Sequence, residues 1–384
     1  MRLGVDITPL QSISPGGIGV ATYETLRALV QLSEIDVVLY GTAPPVVPFS
    51  GEPLNIDLPV CVGSGLLARS NIAWVRYGVG SQLRRDAIDV FWGTRNVLPT
   101  FTGHAALVAT LYDFWHLHHP EQQPLVNRVL NRYSIKSSMR SGDVFSAISH
   151  ATAADARQFF PRCADRIDIN PLGVDVAAFS PMPAQDIKAE ISQLGILRPY
   201  ILLLDAFNQR KNAGIVLQAM SGVNEMVDFQ IVALGSPRAT AGHVDVPSLA
   251  AKLGLSERLI LPGDVSARSL NALYSGATAL VFLSLYEGFG MPILEAMAAG
   301  APVIASDRSS LPEVAGDAAV LTDPTSVSAV AQALREVLLN DRRRAQMKAA
   351  GFERAATFTW RRTAEGMMRS FERAVRLRAE SGTS

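Results

Sequence analysis

Two glutamates, Glu287 and Glu295, are separated by seven residues that are all glycine, proline or apolar. An ionised carboxylate only accepts hydrogen bonds, so such a pair suits the hydroxyl groups of a ligand. Between them Gly288 and Gly290 let backbone N–H groups come close to whatever is bound. The run "PILEAMAAG" then starts a helix, with Pro292 suited to its first turn and Gly300 to its end. Helix N-termini favour anions, so the loop suits a phosphate. Phosphate and hydroxyls held in one pocket describe a sugar nucleotide. Taken singly, each glutamate has a plainer role: Glu295 favours the helix dipole, and Glu287 is a surface residue.

The elements that must position these residues read as two α/β halves. The strand "TALVFLSL" delivers Glu287 at its carboxyl end. Before it come "YILLLDA", "DFQIVALG" and "RLILPG"; after it come "PVIASD" and "AAVLTD". The first half offers "RLGVDI", "IDVVLYG", "IDVFWG", "ALVATLYD" and "DVFSAIS", with a glycine loop "SPGGIGVAT" after the first strand. Strands alternating with helices imply parallel sheets, and continuous apolar runs imply strands buried on both faces. The Pro-rich stretch Pro171 to Gln185 reads as a linker, and the tail from Ser326 reads as helical with a break at "TFTW". The expected organisation is a first Rossmann-like domain over 1–175, a second over 176–358, and a last helix over 359–384. Such sheets bind ligands beyond the carboxyl ends of their strands, here in an interdomain cleft. Asp113, closing "ALVATLYD", is then expected on the acceptor side, where a carboxylate can accept a hydrogen bond from an attacking hydroxyl.

Composition narrows the classes. The chain of 384 residues has 35 basic and 35 acidic side chains, so its overall charge makes no case for nucleic acid. Only two cysteines, Cys61 and Cys163, argue against a disulfide framework and fit a reducing, cytoplasmic setting. No apolar run reaches membrane-spanning length. The stretch Gly65 to Arg85 mixes apolar, aromatic and arginine residues and suits either peripheral contact with a membrane or packing on its own sheet.

The wording "SLYEGFGMPILEAMAAGAPVIASD", followed by "SSLPEVAGDAAVLTDP", closely resembles the family-four (group 1) retaining glycosyltransferases, whose signature is two glutamates with seven residues between them. "GGIGVATYETLRAL", "PLGVD", "LPGDVSARSLNALYSGA" and "FTWRRTAEGMMRSFERAV" extend the resemblance over most of the chain. It implies the GT-B fold, two doubly wound Rossmann-like domains with the last helix crossing back onto the first. It implies that Arg210 and Lys211 of "NQRKN" sit on a donor diphosphate, offsetting charge that develops as it leaves. It implies that Glu287 holds the transferred sugar and Glu295 the ribose. Gly288, Phe289, Gly290 and Met291 would line the sugar and phosphate, Ser266 the base, and Gly16 and Gly17 the opposite side. No metal or other cofactor is expected, because Asp-x-Asp, the metal-binding motif of the other major glycosyltransferase fold, is missing.

Two departures from the family pattern stand out. Asp205 and Ala206 occupy the strand end where relatives usually carry glycine, and Tyr112 stands where relatives often carry histidine. His116, His118 and His119 follow closely and read as polar cleft or surface groups rather than metal ligands. The resemblance points to mannosyl- or rhamnosyl-type enzymes of bacterial polysaccharide assembly, with GDP-mannose as donor and a glycan or lipid-linked acceptor. A UDP-hexose is the alternative donor. An NAD-dependent dehydrogenase is a weaker reading, because "GGIGVAT" lacks the third glycine of the dinucleotide fingerprint. A non-catalytic subunit that keeps the fold is another.

Overall fold

The computed structural model describes residues 1–12, 16–32, 35–46, 58–122, 125–223, 228–236 and 242–382. The chain divides into two units, Met1–Gly173 with Trp360–Ser384, and Val174–Thr359.

The first unit is built on seven strands: β1 (Arg2–Asp6), β2 (Asp36–Gly41), β3 (Val60–Val62), β4 (Val90–Gly93), β5 (Ala106–Leu111), β6 (Val144–Ala147) and β7 (Ile167–Ile169). They lie in the order β3-β2-β1-β4-β5-β6-β7, every neighbouring pair parallel. All residues of β4, β5 and β6 are buried, which explains their unbroken apolar runs. The edge strands β3 and β7 are only three residues long, with partly exposed side chains, so the sequence reading above does not include them.

The helix Trp360–Gly382 belongs to this unit, where it packs on the helix Gly16–Leu32 and on β4, β5 and β6. Phe371 is fully buried, its ring 6.0 Å from that of Trp92. Asn170 donates from Nδ2 to Ser146 Oγ and Ser370 Oγ, each at 3.0 Å, and so ties the helix to the sheet. Gly366 passes so close to Asn170 that a Cβ there would lie 2.2 Å from its Oδ1. Gly16 and Gly17, read above as part of a loop, open the first helix instead. The apolar periodicity of "YETLRALVQL" extends back through Val20 and Ala21, and helix hydrogen bonding carries the glycines with it. Ser14 and Pro15 of that loop lie outside the described residues.

The second unit has six strands: β8 (Tyr200–Leu203), β9 (Gln230–Ala233), β10 (Leu259–Ile260), β11 (Ala279–Phe282), β12 (Val303–Ser306) and β13 (Val320–Thr322). Their order is β10-β9-β8-β11-β12-β13, again all parallel. Strand order reverses between β8 and β11, which pair directly through Ala279 with Ile201 and Leu280 with Leu202. The segments leaving those two strands therefore emerge side by side, at the place where open α/β sheets receive ligands.

Candidate functional site

β8 leads into Arg210 and Lys211; β11 leads into Glu287. Between Leu203 and the basic pair the backbone turns through Asp205, whose φ of 49° is left-handed. Relatives usually place glycine at this strand end; aspartate is among the few other residues that tolerate the conformation. Its Oδ2 accepts from Asn208 Nδ2 at 3.2 Å, and Asn208 Oδ1 in turn accepts from the Arg210 N–H at 3.0 Å. The Leu285 N–H donates to the Arg210 carbonyl at 2.9 Å and clips the two segments together.

Across this clip Lys211 Nζ donates to Glu287 Oε1 at 2.6 Å, and Arg210 Nη2 stands 4.0 Å from Oε2. The side chains of Lys211 and Glu287 are only 14% and 11% exposed. Burial alone would push the Glu287 carboxyl up; the charges of Lys211 and Arg210 outweigh it and hold the group below its ordinary 4.5. Lys211 Nζ also lies 4.9 Å from the centre of the Phe282 ring.

The glycine loop is held from behind. Ser310, fully buried, donates to the carbonyls of Glu287 at 2.9 Å and Phe289 at 2.7 Å, while the Glu287 N–H donates to Ser309 Oγ at 3.3 Å. Gly290 has φ 114°, and a Cβ on it would meet Leu311 Cδ2 at 2.7 Å, so both backbone and space demand glycine. The Phe289 side chain is buried edge-on to Phe358 at 5.9 Å, which leaves its backbone as the part available to a ligand. Met291–Ala299 then forms a helix with Pro292 in its first turn and a left-handed Gly300 as its cap. Ser309 and Ser310 had no assigned role in the sequence reading; their signal was only that they stand next to each other in "SSLPE".

Glu295, on that helix, faces a different environment. Tyr274 donates from its hydroxyl to Glu295 Oε2 at 2.9 Å. Burial dominates, the tyrosine hydrogen bond opposes it only in part, and the carboxyl is pushed up to about 7. The motif thus holds one glutamate as a firm carboxylate and one near its midpoint at neutral pH. Ser266 caps the helix Ala267–Gly276, accepting from the Ser269 N–H at 3.0 Å.

The remaining candidates are in the first unit. There the strand order reverses between β1 and β4. Thr94 donates to the Asp6 carbonyl at 2.7 Å, Arg95 donates to Thr8 Oγ1, and the Thr8 N–H donates to Asp6 Oδ1 at 2.9 Å. Burial raises the Tyr112 phenol, and the charge of Asp6 adds to this; a hydrogen bond with Thr22 and the charge of Arg95 act the other way. Asp113 Oδ1 accepts from the Trp115 N–H at 3.2 Å, an Asx turn that leads into the short helix Trp115–His118. The nearby histidines turn to separate carboxylates, His118 Nε2 to Asp155 at 3.0 Å and His119 Nδ1 to Glu121 at 3.1 Å. Gly16 and Gly17 are exposed at the start of their helix.

Comparison with known proteins agrees with this architecture. Residues 15–178 match the family described as Glycosyltransferase Family 4, and residues 186–354 match Glycosyl transferases group 1. The chain is 29% identical over 256 residues to O-antigen chain mannosyltransferase B of Escherichia coli, covering 66% of each chain. It is 29% identical over 234 residues to MMP alpha-(1->4)-mannosyltransferase of Mycolicibacterium hassiacum, covering 59% of this chain and 53% of that one. The matches therefore span about half to two thirds of these relatives' own lengths. Among solved structures, sucrose-phosphate synthase from Thermosynechococcus elongatus superposes with a TM-score of 0.75 at 18% identity, covering 97% of this chain and 98% of that one. With one family domain on each sheet and this fold throughout, the chain belongs to the group 1 glycosyltransferases of GT-B architecture.

Proposed function

We propose that the protein is a retaining, metal-independent hexosyltransferase that moves a sugar from a nucleotide donor, GDP-mannose, to a hydroxyl of a glycan or lipid-linked acceptor. The observation that carries this reading is the convergence of Arg210, Lys211 and Glu287 where β8 and β11 end side by side. Two cations there fit a diphosphate and offset the charge that builds on it as the sugar departs, the work a metal does elsewhere. Glu287, kept ionised, accepts hydroxyls of the sugar. Glu295 accepts the ribose hydroxyls, and the backbone of Gly288–Met291 lines the sugar and phosphate. Ser266 borders the base, Gly16 and Gly17 belong to the donor-binding set, and Asp113 serves the acceptor. In this reading the acceptor attacks on the face the phosphate leaves, and the leaving phosphate takes its proton. The mannosyl assignment rests on the names of the two curated relatives; a UDP-hexose is the alternative donor.

The test is a panel of sugar nucleotides read first by thermal shift and then by transfer in excess EDTA. GDP-mannose is expected to give the largest shift, with transfer undiminished by the chelator. Activity lost in EDTA and regained with magnesium or manganese would overturn the metal-independent reading. A larger shift with a UDP-hexose would replace the donor.

Tyr112 cannot act as a base near neutral pH, because burial holds its proton more firmly than usual. Tyr112→Phe is therefore expected to keep most transfer activity, while Asp113→Asn loses about tenfold or more, the scale of one hydrogen bond to a charged group. If Asp113→Asn keeps its rate and only melts earlier, Asp113 holds its turn and nothing else.

Among the described residues no helix is long and apolar enough to cross a membrane. Within Gly65–Arg85, Trp74, Val75 and Arg76 are buried on the unit's own core, whereas Leu66 and Tyr77 are 77% and 55% exposed. This exposed apolar and aromatic set is the part we assign to peripheral membrane contact, the setting of a lipid-linked acceptor. Co-sedimentation with anionic lipid vesicles is expected to weaken on replacing Leu66 and Tyr77 with serine.

A further inference from the structure

The two glutamates of the motif differ in what neutralises them. Glu287 has a lysine and an arginine. Glu295 has a single hydroxyl, that of Tyr274. The helix bearing Glu295 packs against the helices Ala267–Gly276, Leu311–Ala315 and Asp341–Ala356 and against β11 and β12. Among the described residues of these elements, Tyr274 is the titratable group that acts on the carboxyl. Two cations on the packed helix Asp341–Ala356 point elsewhere. Lys348 lies against Gly300 and the Phe352 ring, and Arg354 donates to the carbonyls of Glu313 and Val314.

Tyr274 itself is immobilised. It is fully buried, on a helix whose Asn271 donates to the Ser180 carbonyl at 3.0 Å. The neighbouring Phe179 meets the Tyr274 ring edge-on, 5.8 Å between centres. A buried phenol beside a carboxylate stays protonated, so toward the ionised carboxylate it acts as the donor. It occupies Oε2 and fixes the plane of the carboxylate, leaving Oε1 as the oxygen with capacity for a ligand. Glu295 is half-buried rather than fully buried.

We propose that Tyr274 is a positioning residue for donor binding: its hydroxyl orients Glu295 toward a vicinal diol of the nucleotide's ribose and couples nucleotide affinity to release of the Glu295 proton. This rests on the assignment of Glu295 to the ribose under Proposed function. A protonated carboxyl offers one acceptor fewer and a competing donor, so the diol is held well only by the ionised form. Tyr274 favours that form by donating to it. Without the hydroxyl the carboxyl keeps its proton to higher pH, and the weak-binding range widens upward.

The experiment measures affinity for GDP and for UDP by calorimetry from pH 5.5 to 8.5, for the wild type, Tyr274→Phe and Glu295→Gln. Ratios to wild type cancel titration of the nucleotide's own phosphate. In the wild type, binding of the accepted nucleotide should weaken as pH falls through about 7, the Glu295 value. Tyr274→Phe should weaken binding about tenfold at pH 7 and less at pH 8.5, with KM for donor raised and kcat nearly unchanged. Glu295→Gln should bind weakly at high pH, and its affinity relative to the wild type should recover as pH falls through about 7, because only the wild type loses an ionised carboxylate there. If Glu295→Gln binds nucleotide as well as the wild type, the ribose assignment itself fails. If Glu295→Gln is weakened but Tyr274→Phe keeps the wild-type affinity and pH profile, losing only melting temperature, then the tyrosine is core packing and this inference alone is overturned.

Discussion

Replacing Lys211 with alanine is expected to lower turnover by about a hundredfold, and to destabilise the second unit as well. The loss of rate follows from removing a charge-assisted contact to the departing diphosphate, worth roughly 1.5–3 kcal/mol. The loss of stability has a separate origin in the free protein. Lys211 Nζ is the close partner of Glu287, 2.6 Å away, and both side chains are largely buried. Stranding a buried carboxylate costs about 3 kcal/mol, near the lower end for such pairs because Arg210 remains at 4.0 Å. The two effects separate in a double-mutant cycle. Adding Glu287→Gln should restore much of the urea midpoint while leaving turnover low. The pH dependence has a definite sign. Because the folded carboxyl lies below its ordinary 4.5, this contribution is present above that value and is lost as pH falls through the lower folded one. Near-normal turnover at saturating donor in both Arg210→Ala and Lys211→Ala would remove the pair from the chemistry.

Glu295→Gln should act in the opposite direction on stability. Its folded value of about 7 lies above its ordinary 4.5. Between the two, the folded state holds a proton that the unfolded state has lost, so stability falls as pH rises across that window. Over 2.5 pH units, the difference between 7 and 4.5, the linkage amounts to roughly 3 kcal/mol. Glutamine is uncharged, matches the shape and can still accept from Tyr274. The variant should therefore melt several degrees higher than the wild type at pH 8 and no higher at pH 4.5. Calorimetric melting at the two pH values checks this; an equal shift at both would show that the gain comes from packing rather than charge.

The segment from β11 to Gly300 was readable in the sequence because each of its punctuation marks has one physical meaning. Pro292 opens the helix, Gly300 closes it, and Gly290 stands where no Cβ fits. The parallel sheets were readable because strands buried on both faces leave unbroken apolar runs. The edge strands β3 and β7 were not, since each is only three residues long and too short to carry a recognisable strand pattern. Gly16 and Gly17 were read as loop because glycine disfavours helices, yet the apolar face beyond them carried the helix back through both. Asp205 stands where the resemblance leads one to expect glycine, and its backbone is left-handed there, the conformation glycine adopts most readily. Ser310 and Tyr274 act through side chains aimed at other segments, 21 residues away in each case. Nothing in their local sequence distinguishes them from a helix-start serine and a core aromatic.

The first unit is discontinuous in sequence, and this sets an order for folding during synthesis. When Gly173 has left the ribosome, all seven strands of the first sheet exist, but the helix Trp360–Gly382 has not been made. The places of Phe371 beside Trp92 and of Ser370 beside Asn170 are then empty. The second unit, continuous from Val174 to Thr359, can complete its own core in the meantime. At an elongation rate of about 5–20 residues per second, the half-built first unit waits on the order of ten seconds or more for its last helix. During that interval its uncovered apolar face is the surface most exposed to chaperones and to self-association.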